Sequence, residues 1–201
     1  MDEKEDPYNP LDKVNLGKSV AGAILRKEAL PIDTLASFDG AGIYSIYYRG
    51  TFGPYSRLSE YNTNDFKAPI YVGKAVPEGA RKGTGGLDSM SGPFLFKRLK
   101  DHRKSILQTS NLSTSDFFVK YLVVDDIWIP LGESLLIDLA RPLWNLWIDG
   151  FGNHDPGSGR HNQQVSSWDV LHPGRTWAKK LKPGKAENEI LKQVSEYMAK
   201  I

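Results

Sequence analysis

The chain contains no cysteine, which removes disulfides, thiolate nucleophiles and cysteine-built zinc clusters from its chemistry. It has no apolar run near the roughly 20 residues that a membrane-crossing helix needs, so the sequence excludes a membrane protein. No G-x-S-x-G elbow is present, which argues against a serine hydrolase of that type. The leading residues Met1 to Asp6 are acidic and polar, where a secretory leader would place basic residues before an apolar segment. A cytoplasmic protein is expected. There is no large excess of either charge, since 26 Lys and Arg face 24 Asp and Glu for a net +2. No internal repeat is visible.

What is present fits a globular chain. At 201 residues, with 40% hydrophobic and 25% charged content, it can bury one core of about 100 to 150 residues with decoration around it. The charges are segregated along the chain. Lys97, Arg98, Lys100, Arg103 and Lys104 surround the single acid Asp101, and Arg175, Lys179, Lys180, Lys182 and Lys185 form a second basic stretch. Such stretches can neutralise phosphates; a solvated helix face and a basic tail would read the same way.

Periodicity places the elements. Leu11 to Glu28 has helical spacing that Pro31 stops, and reads as an amphipathic helix outside the core. Gly42 to Tyr48 and Pro69 to Gly73 are rich in β-branched and aromatic residues and read as neighbouring strands. The polar Gly50 to Lys67 segment between them exceeds a tight hairpin. Gly79 to Gly92, with five glycines, reads as a mobile connection ending in a helix start at Ser91. A helix from Phe94 to about Leu107, a third strand within Asp116 to Val124, and a helix from Gly132 to Arg141 closed by Pro142 follow. Gly150 to Gly174 reads as a long loop or set of turns, and Ala186 to Met198 as a closing amphipathic helix.

At about 100° per residue, Leu95, Leu99 and Ile106 share an inward stripe, with His102 about 20° and Arg98 about 60° from it. Lys97, Lys100 and Lys104 project to the opposite side. Arg98 and His102 lie four residues apart and border the core, so a guanidinium and an imidazole could converge on one phosphate. An ordinary amphipathic boundary with a salt-bridged arginine gives the same pattern. Glu133 is flanked on the helical wheel by Leu136, Ile137 and Ala140 and points inward, where a carboxylate is costly unless paired or holding a cation. A first-turn glutamate drawn to the helix dipole is the alternative. A lone carboxylate without a Cys or His cluster suits Mg²⁺, or Mn²⁺ in its place, rather than zinc. His154, His161 and His172 lack zinc-type spacing.

Gly42-Ile43-Tyr44 and Tyr71-Val72-Gly73 resemble the paired signature of the GIY-YIG nucleases, with Val in place of Ile. The resemblance extends through Arg98 and His102, a third strand, Glu133 and Asn145, from Gly42 to Asn145. Beyond it, Asp149 to His154 and Trp168 to Arg175 resemble C-terminal segments of the type II restriction endonucleases of this superfamily that cut the palindrome CCGCGG. The N-terminal helix and the Gly50 to Lys67 loop have no such match.

The resemblance implies an α+β fold, a small three-stranded antiparallel sheet flanked by helices, with an N-terminal helical arm and a C-terminal DNA-binding loop and helix. It implies one domain over 1–201, divided into an arm (1–38), a catalytic core (39–148) and a DNA-recognition extension (149–201). It further implies metal-dependent attack of water on a phosphodiester of double-stranded DNA. Glu133 would hold the metal ion, Arg98 a non-bridging phosphate oxygen, and His102 would help Tyr44 activate the water, since a phenol of pKa near about 10 is a poor base alone. Tyr71 would place a second hydroxyl, Asn145 would orient Tyr71 or the backbone, and Lys74 is an alternative base or phosphate contact. Asn153, His154, Arg160, Gln163 and Arg175 are assigned to reading groove edges. The expected assembly is a homodimer on palindromic DNA, with the N-terminal helix and the 50–67 loop serving dimerisation and wrapping, and with a cognate DNA methyltransferase as the implied companion. A repair or mobile-element nuclease of the same superfamily, or a nonenzymatic DNA-binding protein keeping the fold, are the rival readings.

Overall fold

The computed structural model describes residues 9, 11–77, 92–157 and 162–201. Four strands, β1 (Leu30–Pro31), β2 (Gly42–Tyr48), β3 (Tyr71–Ala75) and β4 (Phe117–Val123), form one antiparallel sheet in the order β1-β4-β2-β3. The sheet therefore has one strand more than the three the sequence suggests. The addition is a two-residue edge pairing of Leu30 and Pro31 with Val119 and Phe118. A strand this short carries no alternation to read, and its proline is tolerated because an edge strand can leave one side unpaired. The Gly79 to Gly92 connection and its helix start at Ser91 fall, except for Gly92, outside the described residues.

Strand β2 is buried at every position, as its nearly unbroken apolar and aromatic sequence requires. Both faces are accordingly covered. On one face, α1 (Lys13–Leu25) packs against α4 (Ile129–Ala140), and Ala21, Ile24, Ile43, Val72, Ile129 and Leu136 form a core between them and the sheet. Helix α1 is therefore part of the core and does not lie outside it. Its contact with α4 is close enough that a Cβ on Gly17 would sit 1.6 Å from Leu135 Cδ1. Lys120 reaches from β4 to the C-terminal end of α1, where its Nζ donates to Leu25 O at 2.9 Å, and also to Phe66 O at 3.3 Å. A cation at a helix C-terminus meets carbonyls left without helical partners.

On the other face lie α3 (Phe94–Leu107), α5 (Leu143–Leu146), α6 (Ser167–Leu171) and α7 (Glu187–Met198). Helix α3 spans the range its periodicity suggests. Helix α4 begins at Ile129, earlier than Gly132, because Pro130 occupies the first turn, where its missing N–H costs nothing. The 50–67 segment is folded onto the sheet: it includes a short helix, α2 (Ser56–Tyr61), and Tyr55, Leu58 and Asn62 are buried. The Asn62 amide closes this segment, donating to Tyr48 O at 3.2 Å and Ala68 O at 2.9 Å and accepting from Ala68 N at 2.9 Å. The 150–174 region likewise contains α6 and buries Trp168 and His172. Among the described residues, no helix is long and apolar enough to cross a membrane.

An aromatic cluster joins these pieces. Trp144 stands against Phe117, Phe151 and Trp168 with ring centroids 5.7, 4.5 and 5.7 Å away. At its edge runs a chain of buried hydrogen bonds. Trp144 Nε1 donates to the Tyr55 hydroxyl at 3.1 Å, that hydroxyl donates to His172 Nε2 at 2.6 Å, and His172 Nδ1 donates to Asn111 Oδ1 at 3.0 Å. Each ring nitrogen of a neutral imidazole is satisfied. Burial pushes His172 down from 6.5 to about 3.

That neutral histidine makes the fold sensitive to acid. The unfolded chain protonates His172 near 6.5 and the folded chain does so only near about 3, so the unfolded state binds the extra proton between these values. The contribution is complete above the unfolded pKa and is lost as pH falls. In urea denaturation, wild type should lose about 2 kcal/mol more stability than His172→Gln between about pH 7 and pH 5. Equal losses in the two proteins would show that His172 takes up its proton in the fold as readily as in the unfolded chain.

Candidate active site

The site begins with close backbone packing between β2 and β3. Tyr44 pairs with Gly73, and a Cβ at residue 73 would lie 2.4 Å from the Tyr44 hydroxyl oxygen and 2.6 Å from Cζ. Glycine there lets the Tyr44 ring lie across β3. Gly42 has the same role on the other side of β2, where a Cβ would lie 2.0 Å from Leu122 O. The glycines that frame the two tripeptides are thus the places where a side chain would collide with the neighbouring strand.

The Tyr44 hydroxyl is 2.6 Å from His102 Nε2. His102 is buried and its ring stacks on Phe151 at 4.5 Å and 17°. Burial, reinforced by the guanidinium charges of Arg98 and Arg175, holds His102 well below 6.5. Burial also raises the Tyr44 phenol above its usual 10, with Tyr71 adding to the effect and Arg98 opposing it. Both groups are therefore neutral near pH 7, so the phenol donates and the imidazole accepts. The Tyr71 ring lies 6.3 Å from that of Tyr44 and 5.2 Å from that of His102. Its hydroxyl pKa is raised by burial and lowered by Arg98.

Arg98 extends from α3 beside these phenols. Its Nη2 donates to Gly152 O at 3.2 Å and its Nη1 donates to His154 Nε2. From the other face of the sheet, Lys74 Nζ lies 2.6 Å from Glu133 Oε2 on α4. Since β3 is the sheet edge, groups from both faces can meet around it. Tyr44, Tyr71, Lys74, Arg98, Glu133 and His154 line one cleft of about 570 Å³. Asn145 does not line it. Its Oδ1 accepts from Val72 N and its Nδ2 donates to Val72 O, both at 2.8 Å, so it binds the outer edge of β3 between Tyr71 and Gly73.

The groove-reading assignments divide. His154 is exposed but belongs to the cleft through Arg98. Asn153 and Gln163 are exposed and line an adjoining cavity of about 330 Å³ that shares His154. Arg160 lies outside the described residues. Arg175 does not fit a base-reading role: it is 1% exposed, and its guanidinium is bound to Asp169 and to backbone carbonyls. Its position in a basic stretch of sequence conceals this internal pairing.

Two charged residues join the cleft beyond those expected. Lys97 and Asp101 line it, although the wheel sends Lys97 to the far side from the core. Their four-residue spacing does place them on one face, and this face opens on the cleft rather than on bulk solvent alone. Among the described residues no three His, Cys, Asp or Glu side chains converge as a metal cluster. Glu133 can still hold one hard ion, because its carboxylate is mostly buried, faces the cleft and already has a cationic group against it. Mg²⁺ commonly takes one or two carboxylates and completes its shell with water and phosphate oxygens.

No curated protein matches the chain. Residues 36–198 match the family model described as the Eco29kI GIY-YIG domain, which begins after α1 and β1 and covers β2 to β4, the cleft and the C-terminal helices. A match over that much of the chain, carrying both tripeptides and the cleft between them, shows that this protein belongs to the GIY-YIG restriction endonuclease family represented by the Eco29kI GIY-YIG domain.

Proposed function

We propose that this protein is a type II restriction endonuclease that hydrolyses phosphodiesters of double-stranded DNA at a G/C-rich palindrome, CCGCGG, and acts as a homodimer. The observation that carries the nuclease reading is the convergence of the Tyr44–His102 pair, Tyr71, Arg98, Lys74 and Glu133 on one cleft in a chain of this family. The palindrome rests on the resemblance of segments 149–154 and 168–175.

The chemistry follows from the neutral pair. As water attacks phosphorus, its proton passes to the Tyr44 oxygen while the phenol proton moves to His102 Nε2; the new P–O bond forms as the bond to the leaving oxygen breaks. Burial makes a free phenolate costly, so concerted transfer keeps Tyr44 neutral throughout; the positive charge left on buried His102 is opposed by the negative charge that grows on the phosphate. Arg98 donates to a non-bridging phosphate oxygen and stabilises charge that grows during attack. Tyr71 supplies a second hydroxyl beside it. Glu133 is the residue that would hold Mg²⁺, or Mn²⁺ in its place, which would supply positive charge to offset that on the phosphoryl oxygens and the leaving group. Lys74, paired with Glu133, is a further phosphate contact or an alternative base.

A C₂-symmetric pair of chains matches a palindrome most simply, with each cleft cutting one strand. The exposed Asn153 and Gln163 are the described residues best placed to read groove edges. The companion expected in the cell is a DNA methyltransferase that protects the same sequence.

Three outcomes test this reading. Digestion of plasmid DNA with Mg²⁺, followed by sequencing of the ends, should give cuts confined to CCGCGG; random ends would make the protein a nonspecific nuclease, and intact DNA would favour a binding protein. Glu133→Gln should lose at least about 10³-fold in cleavage while binding the cognate duplex within a few-fold of wild type, and Arg98→Ala should lose about 10²- to 10³-fold. Near-normal turnover in either variant removes the corresponding assignment. Native mass measurement on a short CCGCGG duplex should find two chains per duplex and much weaker cleavage of a duplex with one base pair changed, whereas one bound chain nicking both duplexes equally would refute the dimer.

A further inference from the structure

The turn 150–154 is gripped by two arginines. Arg175 donates to three of its carbonyls, Nη2 to Gly150 O at 2.8 Å and Nη1 to Phe151 O at 3.2 Å and Asn153 O at 3.0 Å. Gly152 O, which Arg175 does not reach, accepts from Arg98 Nη2, and the ring of His154, two residues on, accepts from Arg98 Nη1. Arg175 thus holds the turn from the protein interior and Arg98 meets the same turn from the cleft.

The inner grip is built as a rigid unit. Asp169 takes Arg175 Nε on Oδ1 at 2.6 Å and Nη2 on Oδ2 at 2.7 Å, a bidentate pair with both side chains 1% exposed. Ser166 Oγ donates to the same carboxylate at 2.7 Å. Trp168 and Trp177 stand 4.5 and 4.7 Å from the guanidinium carbon. Planar guanidinium geometry is what allows one side chain to serve a carboxylate and several carbonyls at once. A lysine keeps the charge and loses the fork.

We propose that Arg175, fixed by Asp169, is a positioning residue for phosphodiester cleavage: it shapes the 150–154 turn so that Gly152 O and His154 hold the Arg98 guanidinium at the reacting phosphate. The inference rests on the nuclease reading of the cleft. Arg98 has to meet a non-bridging oxygen without reorganising, and small misplacements of such a group cost about 10²-fold in rate. The turn also carries Asn153 and His154, which face the adjoining cavity. DNA contacts there therefore act on the same backbone that positions Arg98.

The test compares Arg175→Lys, Asp169→Asn and the exposed-site variant His154→Ala with wild type, by single-turnover cleavage with Mg²⁺ and by duplex affinity in Ca²⁺. Arg175→Lys and Asp169→Asn should each lower the cleavage rate constant at least about ten-fold with affinity within about three-fold. His154→Ala should lower it about three- to ten-fold, and the double variant Arg175→Lys/His154→Ala should fall no further than Arg175→Lys alone, because both act through Arg98. Thermal melting identifies any variant that is not folded at the assay temperature. If the two buried-site variants do not fold, His154→Ala decides: a wild-type rate in it overturns the proposal. So do a wild-type rate in folded Arg175→Lys, a loss confined to affinity, or multiplicative losses in the double variant. Failure of wild type to cut DNA at all would instead refute the nuclease reading.

Discussion

Burial of β2 on both faces is the constraint from which the architecture follows. A strand reading Gly42-Ile43-Tyr44-Ser45-Ile46-Tyr47-Tyr48 exposes no side chain to water, and every second residue points to the opposite side of the sheet. Two covering layers are therefore required. One is supplied by α1 and α4 on Ile43, the other by α3 and the C-terminal segments on Tyr44, Ile46 and Tyr48. The family match starts at residue 36, yet α1 is needed to finish the core on its side. In the same way, the 50–67 and 150–174 segments give Tyr55, Trp168 and His172 to the opposite layer. Regions that look peripheral along the chain are used as walls.

The cleft gathers its groups because β3 lies at the sheet edge next to that buried strand. Tyr71 and Gly73 share a face with Tyr44, while Lys74 belongs to the face covered by α4 and meets Glu133. Groups from the two layers are separated in the sheet interior and come together around its edge. Asn145 binds both backbone groups of Val72 there, which fixes the strand from which Tyr71 and Lys74 project. Desolvation then sets the protonation states. Tyr44 and His102 share one proton across a 2.6 Å contact in surroundings that disfavour either charged form, with Arg98 as the adjacent permanent charge.

The C-terminal extension contributes structure to the cleft in addition to exposed side chains. Phe151 stacks on His102, Gly152 and His154 meet Arg98, and Arg175 holds the turn that carries them. A buried guanidinium with a bidentate carboxylate partner is expensive to leave half-satisfied, so Asp169, Arg175 and the three carbonyls form a set whose members depend on one another. The turn is consequently tied to the hydrophobic core at one end and to the cleft at the other. Its sequence position, outside the strands and helices of the sheet layers, does not reveal this.

By itself the sequence determined the elements whose signals are local. The 3.6-residue period of Phe94 to Leu107 placed α3 and put His102 inside, and the two tripeptides located β2, β3 and their tyrosines, because side-chain direction within a regular element depends only on spacing. It also brought Arg98, Glu133 and Asn145 forward as site residues. Only the tertiary structure decided what depended on a partner far along the chain. The pairing of Leu30 and Pro31 with β4, the place of α1 in the core, the Lys74–Glu133 ion pair and the turning of Lys97 toward the cleft are of this kind. Arg175 is the sharpest case: a basic residue among basic residues reads as surface, and its burial exists because Asp169 and the carbonyls of Gly150, Phe151 and Asn153 surround it after folding. Charge along a chain is a local property, whereas the compensation that lets a charge be buried is assembled from several segments.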